Sequence, residues 1–460
     1  MTVSVGDGVE LCSTRRAWAN TFLFFVGAGI LGLPYAFRKT GMAGSGVVLV
    51  AVGMVSAYSM HLLVQCKRAI NGGKASCRAA VTAAVAYERV DSQDSEAADG
   101  NVASSSNGKS LKSEIVGSYG GVGAFVYGEA CQKLVDSSLL ITQAGFCCAY
   151  LIFIGTNLHS IIPWIPDYVF IIACIFPLSV MVRIRQLKTL ALFSMFANFA
   201  NLFGIFAVFW RDFSVWGEKR EEVEFGVEKG NLPFFFGVAI YCFEGMGTVI
   251  PIERSMEHKN DFTQLLLSVV ALVTLLYFLF GYCGYYAFGM DTREIITLNL
   301  GGSDGSNFAA ALVKSSLCTG LFFTYPMMMF PVFEVVEKSD FVRKRSADFA
   351  SWVRMAIAAC TGIVSIAVPN FGLFISFLGA SCCSLLAFIL PPMFHNKVCS
   401  PPLVMKCINY VIIVIGIIGA VLGTTDSARE LLQHYHHEAH TLKHHLPAFG
   451  EYENTTLGSL

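Results

Sequence analysis

AWANTFLFFVGAGILGLPYAF, residues 17–37, is long and apolar enough to cross a membrane, yet Gly27, Gly29, Gly32 and Pro34 fall in its second half. A second stretch, LPFFFGVAIYCFEGMGTVIPI at 232–252, repeats the feature with Glu244, Gly245, Gly247 and Pro251. Hydrocarbon offers backbone no hydrogen bonds, and each unsatisfied group there costs several kcal/mol. A broken helix therefore persists only where protein or a water-filled cavity satisfies it. Two broken helices at matching places in two halves of a chain are a sequence pointer to a transporter's binding site.

Working outward, the whole chain reads as a membrane protein. It has 460 residues, 54% hydrophobic and 14% charged, against about 25% charged in a soluble domain. Mean hydropathy is +0.58. The net charge of −1 gives no field that would draw nucleic acid. The 15 Cys show no metal-binding spacing and no CxxC, and most sit in apolar runs such as Cys147-Cys148 and Cys382-Cys383. Such a Cys acts as a small hydrophobe.

A span needs about 20 apolar residues. Eleven are expected, near 17–38, 43–66, 134–161, 166–183, 189–211, 232–253, 262–289, 307–333, 350–368, 370–394 and 404–424. The predicted class is an all-α integral membrane protein with 11 transmembrane helices. Ten spans divide into two sets of five, each opening with a broken one. The expected domains are an N-terminus over 1–16 and a transmembrane domain over 17–424. Within the latter, 17–211 forms the first repeat, 232–394 the second, and 404–424 an extra helix. Residues 67–118, rich in Ser, Ala, Asp and Gly, read as a mostly disordered cytosolic loop. Residues 425–460 form a His-rich tail, with six His between His434 and His445. It reads as a solvated tail, although protonation at acidic pH would make it cationic. Arg15 and Arg16 lead straight into a full-length span, so no cleavable signal is expected.

With the N-terminus in the cytosol, about two-thirds of the 32 Lys and Arg residues fall on the cytosolic side, as the positive-inside rule requires. Eleven spans then put the C-terminus across the membrane. The one glycosylation triplet, Asn454-Thr455-Thr456, lies on that far side. The far-side loops carry no Cys, so a disulfide there is not expected.

Gly27-Ala28-Gly29-Ile30-Leu31-Gly32 matches G-x-G-x-x-G, but a dinucleotide site needs a preceding strand and a soluble βαβ unit. What carries over is the physics of the new half-helix. Its first N–H groups are unpaired and its dipole end is positive, which suits a carboxylate. A kinked helix packed through small residues is the competing structural reading. Glu244 sits mid-span, where an acidic side chain costs about 2.5–3.5 kcal/mol. It must face a cavity, be paired, or be protonated. It is a candidate proton carrier, ammonium partner, or brace for the break. Gln143, Thr324 and Tyr325 either line a central cavity or bond between helices. Asp136, Lys314 and Arg354 lie near span ends and are expected to snorkel or pair.

Here the sequence resembles a family. GAGILGLPYAFRKTG at 27–41 is very similar to the first-helix signature of the amino acid/auxin permeases, closest to the vacuolar neutral amino-acid transporters of plants and fungi. The resemblance continues through QAGFCCAYLIFIG at 143–155, YCFEGMGTVIPIE at 241–253 and YAFGMDTREIITLNL at 286–300. It runs on through FTYPMMMFPVFEVVE at 323–337 and VPNFGLF at 368–374, covering nearly all of 17–424. It implies the LeuT-like fold of the APC superfamily, two inverted five-helix repeats plus one helix, with substrate between the first and sixth spans. By that match the backbone at Gly27, Ala28, Gly29, Ile30 and Leu31 takes the carboxylate. Unwound backbone near Phe243, Glu244 and Gly245 takes the amine. Gln143, Tyr241 and Thr324 complete the expected substrate site. Proton coupling and an acidic vacuolar or lysosomal membrane are likewise implied. Two departures set this chain apart from the related animal symporters. Asn20 stands where they have a His before the glycine motif, and their outer-loop disulfide is missing.

The expected activity is secondary active transport of neutral L-amino acids, proton-coupled, from an acidic vacuole or lysosome to the cytosol. The expected partners are an amino-acid substrate, protons and the lipid bilayer. No cofactor, catalytic residue, metal or nucleic acid is expected. A plasma-membrane importer of amino acids or auxin is one alternative, and an amino-acid sensor signalling through 67–118 is another. An enzyme is not expected, since no paired catalytic carboxylates, His cluster or nucleophile motif stands at membrane depth.

Overall fold

A computed structural model describes residues 12–72, 117–184, 187–218, 222–301, 308–338, 344–368 and 370–445, together with 4–5, 9–10 and 342. The loop expected over 67–118 falls almost wholly outside them, as do Asn454-Thr455-Thr456 and the side chains of the His-rich stretch.

The first span is broken where the glycines stand. Helix α1 (Thr14–Phe25) ends at Val26, a 3₁₀ turn covers Ala28–Gly32, and α2 runs over Leu33–Thr40 with Pro34 in its first turn. Proline fits there because that N–H has no helical partner. Helices α3 (Met42–Asn71), α4 (Tyr119–Tyr127) and α5 (Glu129–Ile161) follow. Next come α6 (Asp167–Met181) and α7 (Leu187–Ser214). The sixth span is broken too, into α8 (Leu232–Cys242) and α9 (Met246–Ser255). Then come α10 (Phe262–Phe288), α11 (Phe308–Lys338) and α12 (Ala347–Ala367). Helix α13 (Phe371–Leu378) passes through two π-helical segments, Gly379–Cys383 and Leu385–Ile389, into α14 (Leu390–Val398). Helix α15 is Leu403–His445.

Among the described residues nine helical stretches are long and apolar enough to cross a membrane, and α6 is a shorter apolar helix. Helix α7 has the length but carries Asn198, Asn201, Arg211 and Asp212. Several boundaries differ from expectation: α3 ends at Asn71 rather than 66 and α11 at Lys338 rather than 333. A short helix, α4, precedes the third span, which begins at Glu129 rather than 134. The last span, expected over 404–424, continues to His445 as one helix. Hydropathy ends a span where apolar residues end, whereas a helix ends only where something breaks its backbone ladder, and neither Gly423 nor Thr424 does.

In a bilayer, helices associate through close van der Waals packing, which favours small residues at contacts. Helix α8 shows this at the centre of the molecule. A methyl placed on Gly379 would lie 1.9 Å from the Gly237 carbonyl oxygen, and one on Gly237 would lie 2.3 Å from the Ser376 carbonyl oxygen. The Ser376 hydroxyl donates to the Phe234 carbonyl at 2.9 Å. Gly281 and Gly284 do the same for α10 against Phe37 and Pro34 of α2. Gly41, at φ 79° and with the Gly226 carbonyl against it, makes the turn between α2 and α3, which only glycine tolerates.

Both ends of the bundle are tied. On the face that carries residue 12, the Cys12 N–H donates to the Ser255 carbonyl (2.8 Å) and the Glu257 N–H to the Cys12 carbonyl (3.2 Å). There Glu253 of α9 accepts Lys67 Nζ at 2.6 Å and Arg68 Nε at 3.2 Å from α3. On the opposite face Arg38 of α2 donates to the carbonyls of Met290 (3.0 Å) and Thr292 (2.8 Å). Lys39 pairs with Glu430 of α15 at 2.6 Å.

Candidate functional site

The two breaks meet. Gly27, Ala28 and Gly29 line one crevice with Tyr241, Cys242 and Glu244. Phe24 and Phe25 complete the α1 side, Phe146 and Tyr150 come from α5, Tyr277 from α10 and Met328 from α11. Its cavity volume is about 30 Å³, far below the roughly 300–1,000 Å³ of ligand pockets, so the crevice is nearly closed in this conformation.

Each break leaves the last carbonyls of its first half-helix without helical partners. Tyr277 answers both. Its buried hydroxyl shares its one proton between the Phe25 carbonyl and the Cys242 carbonyl (3.0 Å), so one side chain of α10 staples the ends of α1 and α8 together. Phe243 closes the floor behind it, its ring 5.2 Å from that of Tyr277. Phe146 packs edge-on against Tyr241 at 4.7 Å.

Glu244 sits within the second break and is 6% exposed. Its Oε1 accepts the Met246 N–H at 3.0 Å, so the carboxyl caps the start of α9. Its Oε2 has no partner, and neither does the Tyr241 hydroxyl. Buried polar atoms are almost always hydrogen-bonded, and leaving one bare costs about 1–3 kcal/mol. Oε1 thus braces the break, while Oε2 and the Tyr241 hydroxyl are left without partners on residues that line the crevice.

The expected residues divide. Gly27, Ala28, Gly29, Tyr241 and Glu244 line the crevice. Ile30 and Leu31 are buried behind it. Gly245 backs onto Phe24 and Phe25, which a methyl there would meet at 3.0–3.4 Å. Gln143 lies outside the lining, though its Oε1 is buried and unpartnered. Thr324 likewise lies outside the lining. Its hydroxyl turns back to the Gly320 carbonyl at 2.8 Å, the ordinary i−4 bond of a helical threonine, and Met328 one turn on reaches the crevice instead. Tyr325 bonds between helices, to Thr361 at 2.6 Å. The span-end charges pair: Lys314 with Ser160 at 3.0 Å, and Arg354 with Glu337 at 2.7 Å.

The Gly27 N–H is spent on the Phe25 carbonyl at 2.8 Å. The first N–H groups of the Ala28–Gly32 turn are the ones a carboxylate would meet. No Lys, Arg or His stands among the lining residues, so nothing there would neutralise a second, side-chain carboxylate.

A family model for transmembrane amino acid transporter proteins matches residues 11–87 and 104–428. The amino acid transporter AVT3C of Arabidopsis thaliana is 33% identical over 453 residues, covering 93% of this chain and 93% of that one. The amino acid transporter ANT1 of the same plant is 32% identical over 453 residues, covering 91% of this chain and 93% of its own. Vacuolar amino acid transporter 3 of Schizosaccharomyces pombe is 24% identical over 408 residues, covering 85% of this chain and 54% of the relative. A solved structure of a Na⁺-coupled sialic acid symporter in a substrate-bound outward-open state covers 89% of this chain and 98% of its own. Its TM-score is 0.39 at 11% identity, too loose a likeness to carry inference.

Proposed function

The chain belongs to the transmembrane amino acid transporter protein family, and from that premise we propose that it is a secondary active transporter moving neutral L-amino acids with protons from an acidic vacuole or lysosome into the cytosol. The observation that carries this reading is the facing pair of breaks. The turn at Ala28-Gly29 offers N–H groups to an α-carboxylate. Glu244 Oε2 and the Tyr241 hydroxyl, both bare, offer acceptors to an α-ammonium. The absence of a cation from the lining supports a neutral side chain. Relatives named for vacuolar transport support the membrane.

The two broken stretches open two successive sets of five spans. We infer the LeuT-like 5+5 arrangement from that recurrence, with α15 as the extra helix and the face that carries residue 12 in the cytosol. Alternating access then requires each tied end to release in turn. Protonation of Glu244 on the acidic side and its deprotonation toward the cytosol would carry a proton through the cycle with the substrate, the neutral carboxyl still offering its carbonyl oxygen to the ammonium.

The experiment is accumulation of radiolabelled amino acids in proteoliposomes of the purified protein, with an imposed pH gradient. Neutral amino acids accumulate against their gradient, acidic and basic ones do not, and a protonophore abolishes the effect. Accumulation indifferent to the pH gradient would remove proton coupling. No flux with intact binding would favour a sensor.

A further inference from the structure

A second acid is shut away from water, far along the chain from either break. Asp212, near the end of α7, is 0% exposed, and neither of its carboxylate oxygens has a hydrogen-bond partner. It sits in an apolar seam between α7 and α10. One turn below, Phe209 meets Phe280 edge-on at 5.1 Å. One turn above, Trp216 packs on Tyr286 at 4.5 Å and on Tyr282 at 6.4 Å. The ionisable group of α10 that faces the aspartate is the Cys283 thiol, which brings no positive charge.

Arg211, its neighbour on α7, acts on the carboxyl through its charge, but donates to Ser214 at 3.2 Å and makes no hydrogen bond to the carboxyl. Lys314 of α11 sends its ammonium to Ser160 of α5 at 3.0 Å. An ionised carboxylate so placed would bear a desolvation cost of several kcal/mol with neither an ion pair nor a hydrogen bond to offset it. A neutral carboxylic acid avoids most of that cost.

We propose that Asp212 is a proton-binding site separate from the crevice, a carboxylic acid that holds its proton at neutral pH while the α7–α10 seam is closed. The same helix that faces Asp212 through Cys283 carries Tyr277, two turns away, which staples the two breaks. Loss of the proton would place a charge in the seam and press α10 away from α7. Occupancy at Asp212 would thereby reach the crevice through one rigid helix. The site stands whether or not the crevice takes amino acids.

Infrared spectroscopy of the purified protein in lipid membranes at pH 7 tests this without any substrate. The carbonyl stretch of a protonated, non-hydrogen-bonded carboxylic acid is expected in the wild type. Its Asp212 component should persist in Glu244→Gln and be lost in Asp212→Asn, which keeps the shape of the neutral acid. Wild-type protein grown with carboxyl-¹³C aspartate gives a second reading that needs no mutation. Its acid carbonyl band should move to lower frequency, because Asp212 is the buried aspartate among the described residues. A band unmoved by the label, or unchanged in Asp212→Asn, would overturn the proposal.

Discussion

Gly27 and Gly29 stand two residues apart in one motif, yet their surroundings differ. A methyl on Gly27 meets nothing within 4 Å, and its φ of −112° is open to any residue. One on Gly29 would lie 2.9 Å from Cys242 Sγ and 3.0 Å from the Tyr241 ring. Gly27→Ala should therefore leave thermal stability unchanged, so any loss of uptake it causes reports on the space a guest needs. Gly29→Val adds a stiff, branched side chain where the two breaks touch. It should abolish uptake while membrane insertion, read from yield and surface labelling, survives. Normal uptake by Gly29→Val would mean that the break is a packing kink. At Glu244 the two oxygens separate two roles. Glu244→Gln retains an acceptor for the Met246 N–H but cannot titrate. It should bind amino acid yet lose accumulation driven by a pH gradient, and retained coupling would assign the proton to another group.

Between elements, the consequential contacts are single side chains that span two helices. Tyr277→Phe removes the donor shared by the α1 and α8 ends; the Phe25 carbonyl keeps the Gly27 N–H, while the Cys242 carbonyl loses its partner. That loss costs about 1–3 kcal/mol, so uptake should fall by about tenfold with the aromatic packing on Phe243 kept. At the face that carries residue 12, Glu253 is held by two cations in a nearly dry site. Glu253→Ala strands Lys67, which is 7% exposed, and should lower stability by about 3–5 kcal/mol. The double variant Lys67→Met with Glu253→Leu should recover most of that loss in thermal unfolding. The breaks themselves were legible in the sequence, because glycine, proline and one acid inside an apolar run are rare enough to stand out. The aromatic walls were not. Phe146, Tyr150 and Tyr277 look like any of the 38 Phe and 16 Tyr in a lipid-facing chain, and only the packing of α5 and α10 against the breaks singles them out. Asp212 was hidden for another reason. Arg211-Asp212 reads as the charged end of a span, whereas the helix runs on to Ser214 and turns the aspartate inward.

At the scale of the whole molecule, the chain is a bundle whose two discontinuous helices face each other at one crevice and whose ends are both tied. Composition was enough to place it in a membrane, and periodic apolar runs located most of its helices. Where α15 ends was not legible, since the chain turns polar while its helix continues. The central claim is that the crevice between the breaks is the amino-acid site, and equilibrium binding to the purified protein tests it most directly. A labelled neutral amino acid should bind saturably to the wild type. It should be displaced by other neutral α-amino acids, and not by their amides or deaminated acids, because both the Ala28-Gly29 turn and Glu244 must be met. Gly29→Val should abolish that binding. Saturable binding that persists in Gly29→Val, or that amides compete for as strongly as the parent amino acid, would contradict the claim.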